Sequence, residues 1–286
     1  MKKFFVFAAV AIVALTACEN GMDEQNVPVM NQNDEQTEVT LTFNPYDMSA
    51  MTRAATSIEE VVTHLDVWLT EGTNTIDVHQ TKDDDGFGSV SVTLNKTKTY
   101  TLTAVGHRAS GQATLMDGVI AFPDEKVTHA MVYQTTFCPG TTASLNCEMT
   151  RIVGMFRFMG TDQVPQNAYT MRFSLGQSFT RWNVASSAGS NAIERTSTFN
   201  DFSRNNDGTM TFNLYIIPTN LTDTDEMDIT VTALDESGDE IISKTFSDVT
   251  IKAGYKTTYH GEFFTTKGSS AGFTVNDWSE FDTVEY

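Results

Sequence analysis

Apolar and polar residues alternate one for one in short runs along most of this 286-residue chain. A period of two is the pattern of a strand that buries one face and wets the other. Val39-Thr40-Leu41-Thr42-Phe43 is the first such run, and Val90, Val92 and Leu94 mark another. Thr99 to Val105, Tyr169 to Leu175, Met210 to Ile217 and Met227 to Leu234 continue the series. Turn residues stand between them, as in Glu71-Gly72-Thr73-Asn74, Asp83-Asp84-Asp85-Gly86 and Asp235-Glu236-Ser237-Gly238. Threonine is abundant, proline is scarce, and β-branched and aromatic residues dominate the apolar set, which favours strands. Only Ser57 to His64 reads as a helical turn. Ser186 to Asn206, rich in Ser, Asn and Gly, reads as an exposed loop. Regular short strands separated by turns predict an all-β fold of sandwiches.

The pattern restarts near Met149, which predicts an N-terminal β-sandwich over 37–148 and a C-terminal one over 149–286. Thr101-Leu102-Thr103-Ala104-Val105 is echoed by Thr230-Val231-Thr232-Ala233-Leu234. Two similar domains would produce that echo, and so would the low complexity of Thr/Val strands.

Before the first strand lies a different kind of segment. Lys2 and Lys3 precede an apolar run from Phe4 to Leu15, too short for a bilayer span of roughly 20 residues. Small residues follow, so 1–17 reads as a secretory signal. The residue after the expected cut is Cys18, and Leu15-Thr16-Ala17-Cys18 has the form of a bacterial lipobox, in which the cysteine is lipidated and becomes the new N-terminus. The alternative is an ordinary signal with a chance cysteine. Residues 18–36 are polar and acidic without periodicity, the composition of a flexible tether. The expected location is the outer membrane, held by the lipid and facing outward. Asp23-Glu24 loosely matches acidic signals for surface display.

The formal net charge is -19, from 37 acids and 18 bases. Without Lys2 and Lys3 the balance is 37 acids to 16 bases, or -21. Such a surface repels phosphate backbones, which argues against nucleic-acid partners. Cys138 and Cys147 flank Pro139-Gly140; in an oxidising compartment they can close a disulfide, or they can stay as reduced, buried thiols.

No nucleophile elbow, Walker loop, dinucleotide-binding glycines or His-Glu-x-x-His is present, so no catalytic residue, cofactor or metal ligand is assigned and the chain reads as a non-enzyme. His64, His79, His107, His129 and His260 are scattered singly and read as strand or loop surface residues. Asp83-Asp84-Asp85-Gly86 lacks the alternating ligands of a calcium loop and reads as an acidic turn. Trp68, Trp182 and Trp278 could line a sugar-binding face, or fill a sandwich core and domain seam.

The strand carrying Val39, Leu41 and Phe43 is followed by Asn44-Pro45 and then by Met51-Thr52-Arg53-Ala54. If that strand completes a sheet, a trypsin-like cut between Arg53 and Ala54 would free it. The groove left behind would recruit a strand from a second subunit. Head-to-tail repetition of that contact gives an open filament. The cut product keeps 37 - 7 = 30 acids and 18 - 3 = 15 bases, a net charge of -15.

These features together resemble the fimbrillin superfamily, the lipoprotein pilins and pilus anchors of type V pili in anaerobic Gram-negative bacteria. The resemblance rests on the lipobox, the first strand with Thr52-Arg53-Ala54, and Tyr100-Thr101-Leu102-Thr103-Ala104-Val105-Gly106. It rests also on Arg151-Ile152-Val153-Gly154, Gly254-Tyr255-Lys256-Thr257-Thr258-Tyr259 and Val275-Asn276-Asp277-Trp278. It covers nearly the whole chain as a layout. It implies two transthyretin-like sandwiches in tandem, lipid-dependent export, and assembly with other fimbrial subunits by strand donation. Cell adhesion through a host or bacterial surface ligand is the implied role. Arg53 falls where stalk pilins are cut, although no other basic residue flanks it, which leaves stalk and anchor both open. Asp282-Thr283-Val284 is similar to the short O-glycosylation acceptor of such bacteria, at Thr283. A surface glycan-binding lipoprotein that does not polymerise, with Trp182 or Trp278 as a stacking platform, is the alternative.

Overall fold

A computed structural model describes residues 35–46 and 57–265 and the strand at 272–277. The first half forms β1 (Gln36–Pro45), a single helical turn α1 (Ile58–Val61), β2 (His64–Glu71), β3 (Asn74–Thr81), β4 (Ser89–Asn95), β5 (Tyr100–His107), β6 (Thr114–Met116), β7 (Val119–Ala121), β8 (Ala130–Phe137) and β9 (Ser144–Arg151). Two layers result. One has the order β3-β2-β5-β8 and the other β4-β1-β9. They join at a corner where β8 and β9 pair only through Met131–Arg151 and Val132–Thr150. The inward residues of each strand, among them Leu41, Phe43, Leu65, Val67, Leu94 and Leu102, meet in one buried cluster. The β2–β3 hairpin closes on Gly72 and Thr73, and Gly72 takes φ +60°, which glycine adopts without a Cβ penalty.

The second half forms β10 (Gly154–Gly160), β11 (Thr170–Asn183), β12 (Ala188–Asn200), β13 (Met210–Ile216), β14 (Asp225–Leu234), β15 (Glu240–Ile251), β16 (Tyr255–Gly261) and β17 (Gly272–Asp277). Its layers run β12-β11-β14-β15 and β13-β10-β16-β17. The fold is thus all-β and built of sandwiches.

Set side by side, the two halves repeat one plan. The orders β3-β2-β5-β8 and β12-β11-β14-β15 correspond strand for strand, as do β4-β1-β9 and β13-β10-β16. In each half the first strand is antiparallel to the fourth and parallel to a late one, β1 to β4 and β9, β10 to β13 and β16. The echoed Thr101–Val105 and Thr230–Leu234 lie on β5 and β14, which occupy the same place in the plan.

Three features differ from the sequence expectations. Ser186 to Asn206, read as a loop, is mostly β12, paired with β11 from Asn200 to Ala188. None of its side chains is fully buried. Main-chain bonds to β11, not apolar burial, make it a strand, so hydrophobic pattern could not show it. The expected boundary at 148/149 falls inside β9, and the chain crosses to the second sandwich at Ile152-Val153. β6 and β7, from the first half, pair onto the end of β11.

A third buried cluster links the halves through Trp68, Ile120, Val153, Met155 and Trp182. Trp68 is 4% exposed and Trp182 1%, so neither can serve as a stacking platform; both take the core-and-seam role. Trp278 lies outside the described residues.

The second core centres on Phe158. Its ring stacks on Tyr259 at 5.0 Å and meets Phe173, Phe246 and Phe263 edge-on at 5.6, 5.9 and 5.3 Å. Offset and edge contacts of this kind add to area burial. Phe158→Ala should cost about 3–5 kcal/mol of stability in urea unfolding, whereas Met116→Gln, at a 72% exposed position, should be close to neutral.

Candidate functional site

The first strand occupies the middle of its layer. On one side β1 pairs antiparallel with β4, from Gln36–Asn95 to Thr42–Ser89. On the other it pairs parallel with β9, from Thr40–Ser144 to Pro45–Met149. Among the described residues β4 has no other strand partner. Val39, Leu41 and Phe43 alternate into the core and are at most 1% exposed. Burying each stabilises the fold by about 1.5–3 kcal/mol. The outward side chains add cross-strand contacts: the Thr40 and Ser91 hydroxyls lie 3.3 Å apart, and the Asn44 amide donates to Asn146 Oδ1 at 2.7 Å. Taking β1 away would leave a slot with an apolar floor and unpaired backbone on both walls, β4 and β9.

The two ends of the following connection are held very differently. On the far side α1 is pinned. Ile58 and Val61 are buried, and Ser57 caps the turn by accepting from the Glu59 amide at 3.3 Å. A helix end leaves carbonyls without partners. Here Arg108 donates from Nη2 to Glu60 O (2.7 Å) and from Nε to Val61 O (2.6 Å). His129 Nδ1 lies 3.0 Å from Val61 O, and Arg151 Nε donates to His129 Nε2 at 2.7 Å. Both contacts together require a neutral imidazole with its proton on Nδ1. Burial, reinforced by the neighbouring Arg151 charge, holds the His129 pKa well below the usual value. On the near side β1 is held by strand pairing, by its three buried apolar side chains and by the Thr40–Ser91 and Asn44–Asn146 contacts.

Cys18, Arg53, Ala54 and Thr283 lie outside the described residues. Cys138 and Cys147 are free thiols, Cys138 partly exposed and Cys147 buried. Cys138 Sγ donates to Lys96 O at 3.3 Å, while Cys147 faces the first core, where burial raises its pKa to about 12. The thiols point to different places, which is why they do not pair. Asp84 accepts from the Thr81 amide and hydroxyl at 2.7 and 3.0 Å, so it closes its own turn.

The histidines are where sequence reasoning fell short. His107 and His129 are buried, not superficial. His64, His79 and His107 gather about the buried Asp66, which lies 2.6 Å from His79 Nδ1 and 3.0 Å from His107 Nε2 and accepts from the Ala113 amide at 3.0 Å. Register brings them together: Asp66 is opposite His79, and His64 opposite His107. His64 and Asp66, two apart on one strand, were the available signal. Among the described residues no group of three such side chains is placed to hold a metal.

No family model matches the chain, and no curated protein matches it in sequence. Solved structures do. A candidate cell adhesion protein from Bacteroides ovatus aligns over 85% of this chain and 98% of its own, at TM-score 0.52 and 13% identity. A candidate polysaccharide-binding protein from Bacteroides thetaiotaomicron aligns over 85% and 96%, at TM-score 0.51 and 12% identity. A fimbrial assembly protein from Parabacteroides distasonis aligns more loosely, over 85% and 96% at TM-score 0.43 and 11% identity. At such identities the likeness is one of fold.

Two outcomes follow for this site. Leu41→Ala should raise amide hydrogen exchange in β4 together with β1, while β2 and β5 keep their protection, because among the described residues β1 is the one strand that pairs with β4. Unfolded His129 titrates near its ordinary value of ~6.5, but the folded residue does not take up the proton until lower pH. Below that ordinary value the unfolded state binds more protons, so stability should fall as pH drops from 7 toward 5, by up to about 1.4 kcal/mol per pH unit from this residue. Urea midpoints at the two pH values should show a smaller fall for His129→Gln.

Proposed function

We propose that this chain is a structural subunit or anchor of a surface fibre, exported as a lipoprotein and serving cell adhesion. The lipid on Cys18 tethers it to the outer membrane. Its partners are other subunits of the fibre, which donate a strand to the place that β1 vacates. No catalysis is assigned to it.

One observation carries the reading. β1 is the first strand among the described residues, lodged between two others, with three buried side chains and a pinned turn beyond the connection. A strand in that position can be replaced by an equivalent segment with no other change in the fold. Its topological counterpart β10 follows directly from β9 and has no such freedom. The sequence resemblance to pilins supports the exchange reading, and the fold shared with a candidate adhesion protein supports the adhesive surface role.

An arginine-specific protease tests the proposal. Cleavage after Arg53, followed by size-exclusion chromatography with and without a peptide spanning 36–45, should give polymers that the added peptide suppresses. Arg53→Ala protein should stay monomeric. A cut protein that remains monomeric and binds no strand peptide would end the exchange reading. N-terminal analysis of protein taken from cells separates the roles: a start at Ala54 marks a stalk subunit, a lipidated Cys18 an anchor.

A further inference from the structure

The shared plan of the two sandwiches makes one difference between them informative. In the first, the open side between edge strands β3 and β4 is stitched shut by Gln80. Its Nε2 donates to Ser89 O at 2.9 Å and its Oε1 accepts from the Gly88 amide at 3.1 Å. In the second, the corresponding edges β12 and β13 stand apart around a cleft of about 690 Å³. Beyond the cleft Gly189 donates to Thr219 O at 3.0 Å, and within its lining the Phe199 and Phe212 rings meet at 5.0 Å. Residues 124–128, inserted from the first half, line its rim.

Arg195 projects from β12 into this cleft. Nη2 donates to Tyr215 O at 2.6 Å, but Nη1 is buried with no partner, and no carboxylate among the described residues pairs with it. Glu125 at the rim already accepts from Arg181 (2.8 Å) and Asn191 (3.2 Å). Burial lowers the Arg195 pKa to about 10, so the group still carries its charge at neutral pH. A buried guanidinium N–H with nothing to bind is costly, and a carboxylate is the acceptor that fits it best. Arg108 and Lys126 are further cations of the lining, Asp124 and Glu125 are anions on its rim away from Arg195 Nη1, Ser197 two positions along β12 adds a hydroxyl, and Phe199, Phe212 and Leu214 form an apolar wall. The volume suits a small molecule of one or two rings. An added strand is disfavoured because Arg195 already occupies the Tyr215 carbonyl on the β13 edge.

We propose that the cleft between β12 and β13 binds a sugar acid, with its carboxylate on Arg195 and its ring against the apolar wall. This site is separate from the β1 slot and independent of any strand exchange.

The test is titration calorimetry and amide chemical-shift mapping of the full-length protein in detergent, with galacturonate and digalacturonate as probes. Galactose, benzoate and sulfate are the comparison arms. The acids should bind, shifting amides within 195–199 and 212–215, and galactose should not. Arg195→Met should weaken binding by at least about tenfold, as loss of one charge-assisted hydrogen bond does. Lys126→Gln, at an exposed position, should weaken it less and leaves the fold untouched should the Arg195 variant fail to fold. The assignment is overturned if neither uronate binds, if galactose binds equally, if only benzoate or sulfate binds, or if the shifts fall elsewhere.

Discussion

The double pairing of β1 is the constraint on which the first sandwich depends. A layer of three strands has one middle member, and here the middle member is the first strand of the fold. Its loss would strand β4 and open the core above Leu65, Leu94 and Cys147. Folded domains are stable by only about 5–15 kcal/mol, so three buried side chains and two ladders of hydrogen bonds are a large share of the total. The turn at α1 is fixed separately, by the burial of Ile58 and Val61 and by the Arg108 bonds to its end carbonyls.

Duplication explains much of the rest. Both halves solve the problem of an antiparallel sandwich with one parallel pair in the same way, yet they finish their edges differently. A glutamine seals the first where an arginine both bridges and leaves a donor unused in the second. A glutamine amide can satisfy a donor and an acceptor across a gap and then has little left over. A guanidinium has five donors and no acceptor, so one bridging bond leaves others to be matched. The insertion carrying β6 and β7 lies against the second half and supplies both the seam around Trp182 and the rim of the cleft.

The buried polar groups follow the same logic. Asp66 is tolerated inside because two imidazoles and a main-chain amide surround it. His129 is tolerated because it remains neutral between Val61 O and Arg151. Both networks lie beside the elements that hold α1, and neither could be assembled from residues close in sequence.

Alternation by itself determined that the chain is all-β, where most strands lie, and that Val39, Leu41 and Phe43 face inward, because a period of two leaves one choice of buried face. Turn chemistry likewise located the hairpins at Gly72 and at Asp235 to Gly238. The duplication was visible only as a five-residue echo, since strand order is set by which edges meet in space and leaves little trace in local pattern. Tertiary structure alone decided that β12 is a strand, for its stability comes from β11 and not from its own side chains. It also decided that β1 is central, that His79 and His107 share one aspartate, and that Arg195 has a donor to spare, because each depends on register between segments 13 to more than 100 residues apart.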